Sequence, residues 1–88
     1  MGFLNKDTFV CLDCETTGLD PKTDRIIEVA LTTFDFSGNI ESYETLVDPE
    51  CLISEASQAI HHISQEMVQG KPKIHEVLPN VVKLIGKN

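Results

Sequence analysis

Two carboxylates separated by a single residue, Asp13 and Glu15, close an apolar, β-prone run that reads Phe9-Val-Cys-Leu-Asp-Cys-Glu and breaks at Thr16, Thr17 and Gly18. Successive side chains of a strand point to opposite faces, so residues two apart share one. Two acids on one face repel each other, and a fold places them together where a cation sits between them. A hard divalent ion is the natural occupant: Mg²⁺ takes oxygen ligands and is usually held by one or two carboxylates together with the phosphates of a substrate. The plainer alternative is that both acids only cap a strand end in solvent.

Cys11 and Cys14 flank Asp13 with the C-x-x-C spacing of zinc and redox sites. In a strand, residues three apart face opposite ways, so these thiols do not converge on one ion. With Cys51 alone in a loop, the three cysteines form no disulfide framework and suit a reducing compartment.

Fourteen acidic against seven basic residues give a formal net charge of -7 over 88 residues. This argues against a non-specific binder of nucleic acid backbone by charge alone, and if phosphate is the ligand a metal must mediate. No apolar stretch approaches a membrane span and no signal-like run opens the chain, which points to a soluble, cytoplasmic protein with no membrane partner. A chain of this length is one domain or part of one, with a modest core.

The elements that must position the two acids follow from patterning. A first strand is expected over Thr8–Glu15 after a polar lead, then a loop punctuated by Gly18 and Asp20-Pro21. A second strand spans Arg25–Phe36, and Ser37-Gly38-Asn39 turns it into a third over Ile40–Val47. Short loops of this kind join antiparallel neighbours. Ser54 can cap a short helix through Ala59, and a second turn runs from Ser64 to Gly70. Val77, Leu78, Val81, Val82 and Ile85 form the stripe of an amphipathic helix that begins near Glu76, with Pro79 in its first turn and Gly86 at its end. The fold class is α/β: three antiparallel strands followed by helices. Because the first strand is apolar on both faces it should be interior to its sheet, yet its outer edge finds no partner here. The domain is therefore expected to continue beyond Asn88, and the 88 residues alone to self-associate.

The run Phe9-Val-Cys-Leu-Asp-Cys-Glu-Thr-Thr-Gly-Leu-Asp resembles the first exonuclease motif of the DEDD superfamily, in the branch of the proofreading epsilon subunit of DNA polymerase III and ribonuclease T. Arg25-Ile-Ile-Glu-Val-Ala is similar to the second strand of that family, and Leu46-Val-Asp-Pro to the end of its third. Ile60-His-His-Ile-Ser resembles its Ile-His-Gly-Ile-Thr stretch, and Val82-Lys-Leu-Ile-Gly-Lys-Asn the approach to its second motif.

The resemblance implies a ribonuclease H-like exonuclease fold, present here in its N-terminal part, and a 3′-to-5′ exonuclease with two Mg²⁺ or Mn²⁺ ions. Asp13 and Glu15 would be metal ligands and catalytic residues. Thr16, Thr17 and Gly18 would offer N–H groups and hydroxyls to the terminal nucleotide, Leu19 would pack on its base, and His61 would lie nearby. His62 stands where the family has glycine, so either the turn is altered or His62 takes a positive φ. Glu28 interrupts an apolar strand as an outer-shell carboxylate or as a strand-edge or paired charge, and His75 is expected in solvent. A further Asp of the second motif, and the His and Asp of the third, are expected outside the 88 residues. The implied partner is a single-stranded DNA 3′ end, with a DNA polymerase subunit as a possible companion. RNA 3′ ends are the alternative substrate, and a non-catalytic binding module the alternative of a different class.

Overall fold

The structure, a computed structural model, describes residues 8–86. The polar lead Met1–Asp7 and the final Lys87 and Asn88 lie outside the described residues. Three strands, β1 (Thr8–Thr16), β2 (Ile26–Asp35) and β3 (Ile40–Leu46), form one antiparallel sheet in the order β1-β2-β3. Three helices follow: α1 (Glu55–His61), α2 (Gln65–Val68) and α3 (Ile74–Gly86).

The alternation of β2 organises the sheet. Ile27, Val29, Leu31 and Thr33 are buried, while the residues between them, Glu28, Ala30, Thr32 and Phe34, are half-buried or exposed. Val29 and Leu31 pack with Val47 against Val77 and Val81 of α3. Ile27 packs with Ile53, Ile63 and Val68, which seats the α1–α2 segment at the end of the sheet where β1 finishes. At the opposite end, Asp35 organises the β2–β3 turn: Oδ1 accepts from the Ser37 and Asn39 N–H groups at 2.9 and 3.0 Å, and Oδ2 accepts from Asn39 Nδ2 at 3.0 Å. Gly38 takes a φ of 89° there, a conformation that costs an L side chain.

β1 lies at the edge of the sheet among the described residues, as the strand order expected from the sequence requires. Phe9, Val10 and Leu12 are accordingly exposed, because β2 covers only one side of their strand. The helix caps agree with the sequence: Ser54 and Ser64 accept from the N–H groups of Ser57 and Met67. The start of α3 does not. The helix begins at Ile74 rather than near Glu76, with the Glu76 carboxylate accepting from the Lys73 N–H at 2.9 Å, so Pro79 falls in the helix interior instead of the first turn. An interior proline costs about 3 kcal/mol through its missing N–H and a steric clash. Burial of Val77 and Val81 on either side of it offsets that cost. Among the described residues, no helix is long and apolar enough to cross a membrane.

Candidate functional site

Asp13 and Glu15 lie in β1 opposite Ala30 and Glu28 of β2, and Ala30 in turn lies opposite Glu44 of β3. Directly opposed residues share a sheet face, so Asp13, Glu15, Glu28 and Glu44 occupy one face, and α3 packs on the other. The crowding has an electrostatic signature. Burial pushes the Glu28 carboxyl above its ordinary range, the charges of Glu44, Glu15 and Asp13 push it further, and His61 opposes them. The Cys14 thiol is also raised, by burial first and then by Asp13 and Glu15.

Immediately past Glu15 the β1–β2 register shifts, and the chain enters a loop fastened at Thr17. Thr17 is 1% exposed and every polar atom it carries is engaged. Its N–H donates to the Arg25 carbonyl at 2.8 Å, its hydroxyl donates to Asp24 Oδ1 at 2.7 Å, and the same oxygen accepts from the Arg25 N–H at 2.9 Å. Its carbonyl accepts from the hydroxyls of Ser54 and Ser57 at 3.3 and 2.9 Å, which ties the loop to the first turn of α1. The N–H and hydroxyl of Thr17, the groups that the resemblance assigns to a nucleotide, are thus both engaged within the loop. Thr17 holds the loop. The Thr16 hydroxyl is likewise used internally, donating to the Gly18 carbonyl at 2.6 Å.

Gly18 and Leu19 emerge from this knot beside a concavity of about 450 Å³ that is closed on its far side by Ala56, Ser57 and Ile60 of α1. Leu19 is 99% and Ile60 78% exposed, two apolar side chains presented to whatever enters. His61 does not line this concavity. Its Nδ1 accepts from the Ile63 N–H at 3.0 Å, which leaves the proton of the neutral ring on Nε2. That atom is buried and finds no partner among the described residues. The next residue, His62, ends α1 with φ 60° and ψ 22°, so of the two possibilities at this position the chain keeps the left-handed turn with histidine in the place of glycine.

Asp24, Ser57 and Ile60 were not singled out from the sequence. Asp24 reaches Thr17 from seven residues away and Ser57 reaches it from forty, while Ile60 is brought to the concavity only by the fold, so no local spacing marks their part in the site. The Ser54 cap was the one legible signal that α1 begins beside the loop.

The family model described as Exonuclease (RNase_T) matches residues 10–88. The chain belongs to this exonuclease family. It is 47% identical over 72 residues to the PolC-type DNA polymerase III of Thermotoga petrophila, a match that covers 82% of this chain and 5% of that protein. It is 38% identical over 77 residues to the DNA polymerase III subunit epsilon of Treponema pallidum, covering 88% of this chain and 36% of that subunit. Among solved structures, exonuclease X in complex with 5′ overhanging duplex DNA superposes with a TM-score of 0.73 at 33% identity, over 82% of this chain and 42% of that one. A 3′-exonuclease solved in a study of 3′-end recognition of a histone mRNA stem-loop superposes with a TM-score of 0.74 at 25% identity, over 91% of this chain and 39% of that one. The chain thus spans less than half the length of each of these relatives, and its three antiparallel strands followed by helices are those of the ribonuclease H-like exonuclease fold of the DEDD superfamily.

Proposed function

We propose that residues 1–88 contribute the first carboxylate pair and the nucleotide-binding loop of a divalent-metal-dependent 3′-to-5′ exonuclease that acts on DNA ends in proofreading or repair. The observation that carries this is the juxtaposition of Asp13 and Glu15 on one sheet face with the fastened loop and the concavity that follow them. Both are oxygen donors, which fits a hard cation such as Mg²⁺ or Mn²⁺. Among the described residues, no three His, Cys, Asp or Glu side chains gather into a metal site. The pair therefore fits as the protein's two-carboxylate share, with other oxygens coming from substrate, water and sequence outside these residues, where a general base also belongs.

Two such ions, when bound, would stabilise the attacking and leaving oxygens of an in-line displacement at phosphorus. The chain's own residues do the rest. Asp13 and Glu15 would hold the cation, with Glu28 and Glu44 on the same face deepening the negative potential that would attract it. Gly18 lines the concavity, and Leu19 with Ile60 offers apolar surface to a terminal base. His61 Nε2–H remains as a donor near the acidic face. DNA is favoured over RNA because the polymerase III relatives and exonuclease X are DNA enzymes or DNA-bound by name. The histone mRNA complex keeps RNA as the second substrate class.

The test uses the complete protein that carries this segment, with single-stranded DNA and RNA of one sequence and label, in Mg²⁺, Mn²⁺ and EDTA. Stepwise release of mononucleotides from the DNA 3′ end, abolished by EDTA, is the expected result. Faster digestion of RNA moves the assignment to an exoribonuclease, and cutting that is internal or insensitive to EDTA overturns it.

A further inference from the structure

We infer that Asp24, in the wall of the same concavity, is a positioning residue for the nucleotide-binding loop, and that it sets where Gly18 and Leu19 stand. Three observations on one carboxylate converge. Asp24 Oδ1 accepts from the buried Thr17 hydroxyl at 2.7 Å, and Oδ2 accepts from the Asp20 N–H at 2.8 Å, so the two oxygens grip the chain on both sides of Gly18 and Leu19. The backbone returns the grip: the Asp24 N–H donates to the Asp20 carbonyl at 2.8 Å. The carboxylate also occupies the space that a side chain at residue 18 would need, since a Cβ there would lie 2.5 Å from Oδ2, 2.8 Å from Cγ and 2.9 Å from Oδ1.

Aspartate has a short side chain, and with both oxygens bound it cannot swing aside without breaking the bonds to Thr17 and Asp20. Glycine at 18 is thus matched to Asp24 by contact and not by dihedral angle, for Gly18 is not among the glycines with positive φ. Neither oxygen needs substrate for its bonds. The loop is therefore set before a ligand arrives, which removes an ordering cost from binding.

This inference rests on the nuclease assignment above, and its test separates the two. In the complete protein, Asp24→Ala is expected to raise KM for a 3′-labelled oligonucleotide about tenfold with kcat within about twofold, because it removes ground-state positioning and no catalytic group. Asp24→Asn keeps the shape and still accepts from Thr17, but turns an amide toward the Asp20 N–H; KM should rise by a smaller factor in the same direction.

Gly18→Ala alone should raise KM, and in the Asp24→Ala background it should cost far less, since the obstructing carboxylate is gone. Additive effects of the two substitutions, or an unchanged KM in Asp24→Ala, would overturn the inference. Amide hydrogen exchange needs no turnover. Asp24→Ala should speed exchange at Asp20 by about tenfold or more relative to β2, as a charge-assisted bond is lost; unchanged exchange at Asp20 overturns the proposal even in a protein that proves inactive as a nuclease. Inactivity of the unsubstituted protein, with Asp20 exchange responding as expected, would sink the nuclease assignment and leave the role of Asp24 in the loop standing.

Discussion

The two faces of β2 differ by one residue step and by almost everything else. Ile27, Val29, Leu31 and Thr33 face inward, covered by α3 and the α1–α2 segment, whereas Glu28, with Asp13 and Glu15 beside it, faces an open and acidic surface. Burial of apolar area holds the first face in place. Nothing comparable stabilises the second, where burial first, and then the like charges of Glu44, Glu15 and Asp13, raise the Glu28 carboxyl. The strand period thereby separates the residues that fold the sheet from the residues that would do chemistry on it, so each set can be perturbed almost alone.

Asp13→Asn provides the largest test of that separation. In the complete enzyme it should lower exonuclease turnover by about a thousandfold or more, since a metal-holding charge is lost. Stability should stay within about 1 kcal/mol of the parent or rise, because one member of the repelling set is removed. A Tm drop of many degrees together with retained activity would show that Asp13 belongs to the folding face after all.

Leu31→Ala and Thr32→Ala make the sharper comparison, being adjacent residues on opposite faces. Leu31 is 1% exposed within the main core cluster, so its truncation should cost about 3 kcal/mol in denaturant unfolding. Thr32 loses only a 3.3 Å hydroxyl contact with Ser42, and Thr32→Ala should change stability by under about 1 kcal/mol. Similar losses at both positions would erase the distinction between the faces.

Where the α1 segment meets the site, Ser54→Ala should cost about 1 kcal/mol as an N-cap. Because the Ser54 hydroxyl also donates to the Thr17 carbonyl, the substitution should loosen residues 17–19 as well, read as faster amide exchange there than in β3. Equal changes in the loop and in β3 would mean that the cap and the loop are not connected.

The sequence made the separation of the faces readable but not the fastening of the loop. Strand limits agree within a residue, because β2 and its turn at Ser37-Gly38-Asn39 carry their own local signals. The same strand logic put Asp13 and Glu15 together in the sequence. α3 begins two residues before the start that local preference sets for a helix with Pro79 in its first turn, because tertiary burial of Val77 and Val81 outweighs that preference. The family resemblance offers the Thr17 hydroxyl to a ligand and says nothing of how the loop is fastened. The Thr17 partners Asp24, Ser54 and Ser57 sit 7, 37 and 40 residues away, and contacts of that range leave no trace in spacing.

The smallest effect belongs to the end of the sheet farthest from the acids, and it runs opposite in sign to that at Glu28. Asp35 is held below its ordinary value of 3.8, first by the Asn39 side-chain amide and then by the Asn39 N–H, against an opposing effect of desolvation, with lesser help from the Ser37 and Gly38 N–H groups. A carboxyl whose folded pKa is depressed contributes stability that is complete above its unfolded value and is lost as pH falls through the folded one. The turn should therefore loosen only as pH falls below that ordinary value of 3.8. Glu28, with its folded value raised, instead opposes folding increasingly as pH climbs above 4.5. Amide shifts of Ser37, Gly38 and Asn39 followed by NMR through the acid range should titrate together with Asp35, and Asp35→Asn should abolish that titration. Its persistence in Asp35→Asn would mean that another group holds the turn, and that the two ends of the sheet do not differ in the sign of their carboxylate energetics.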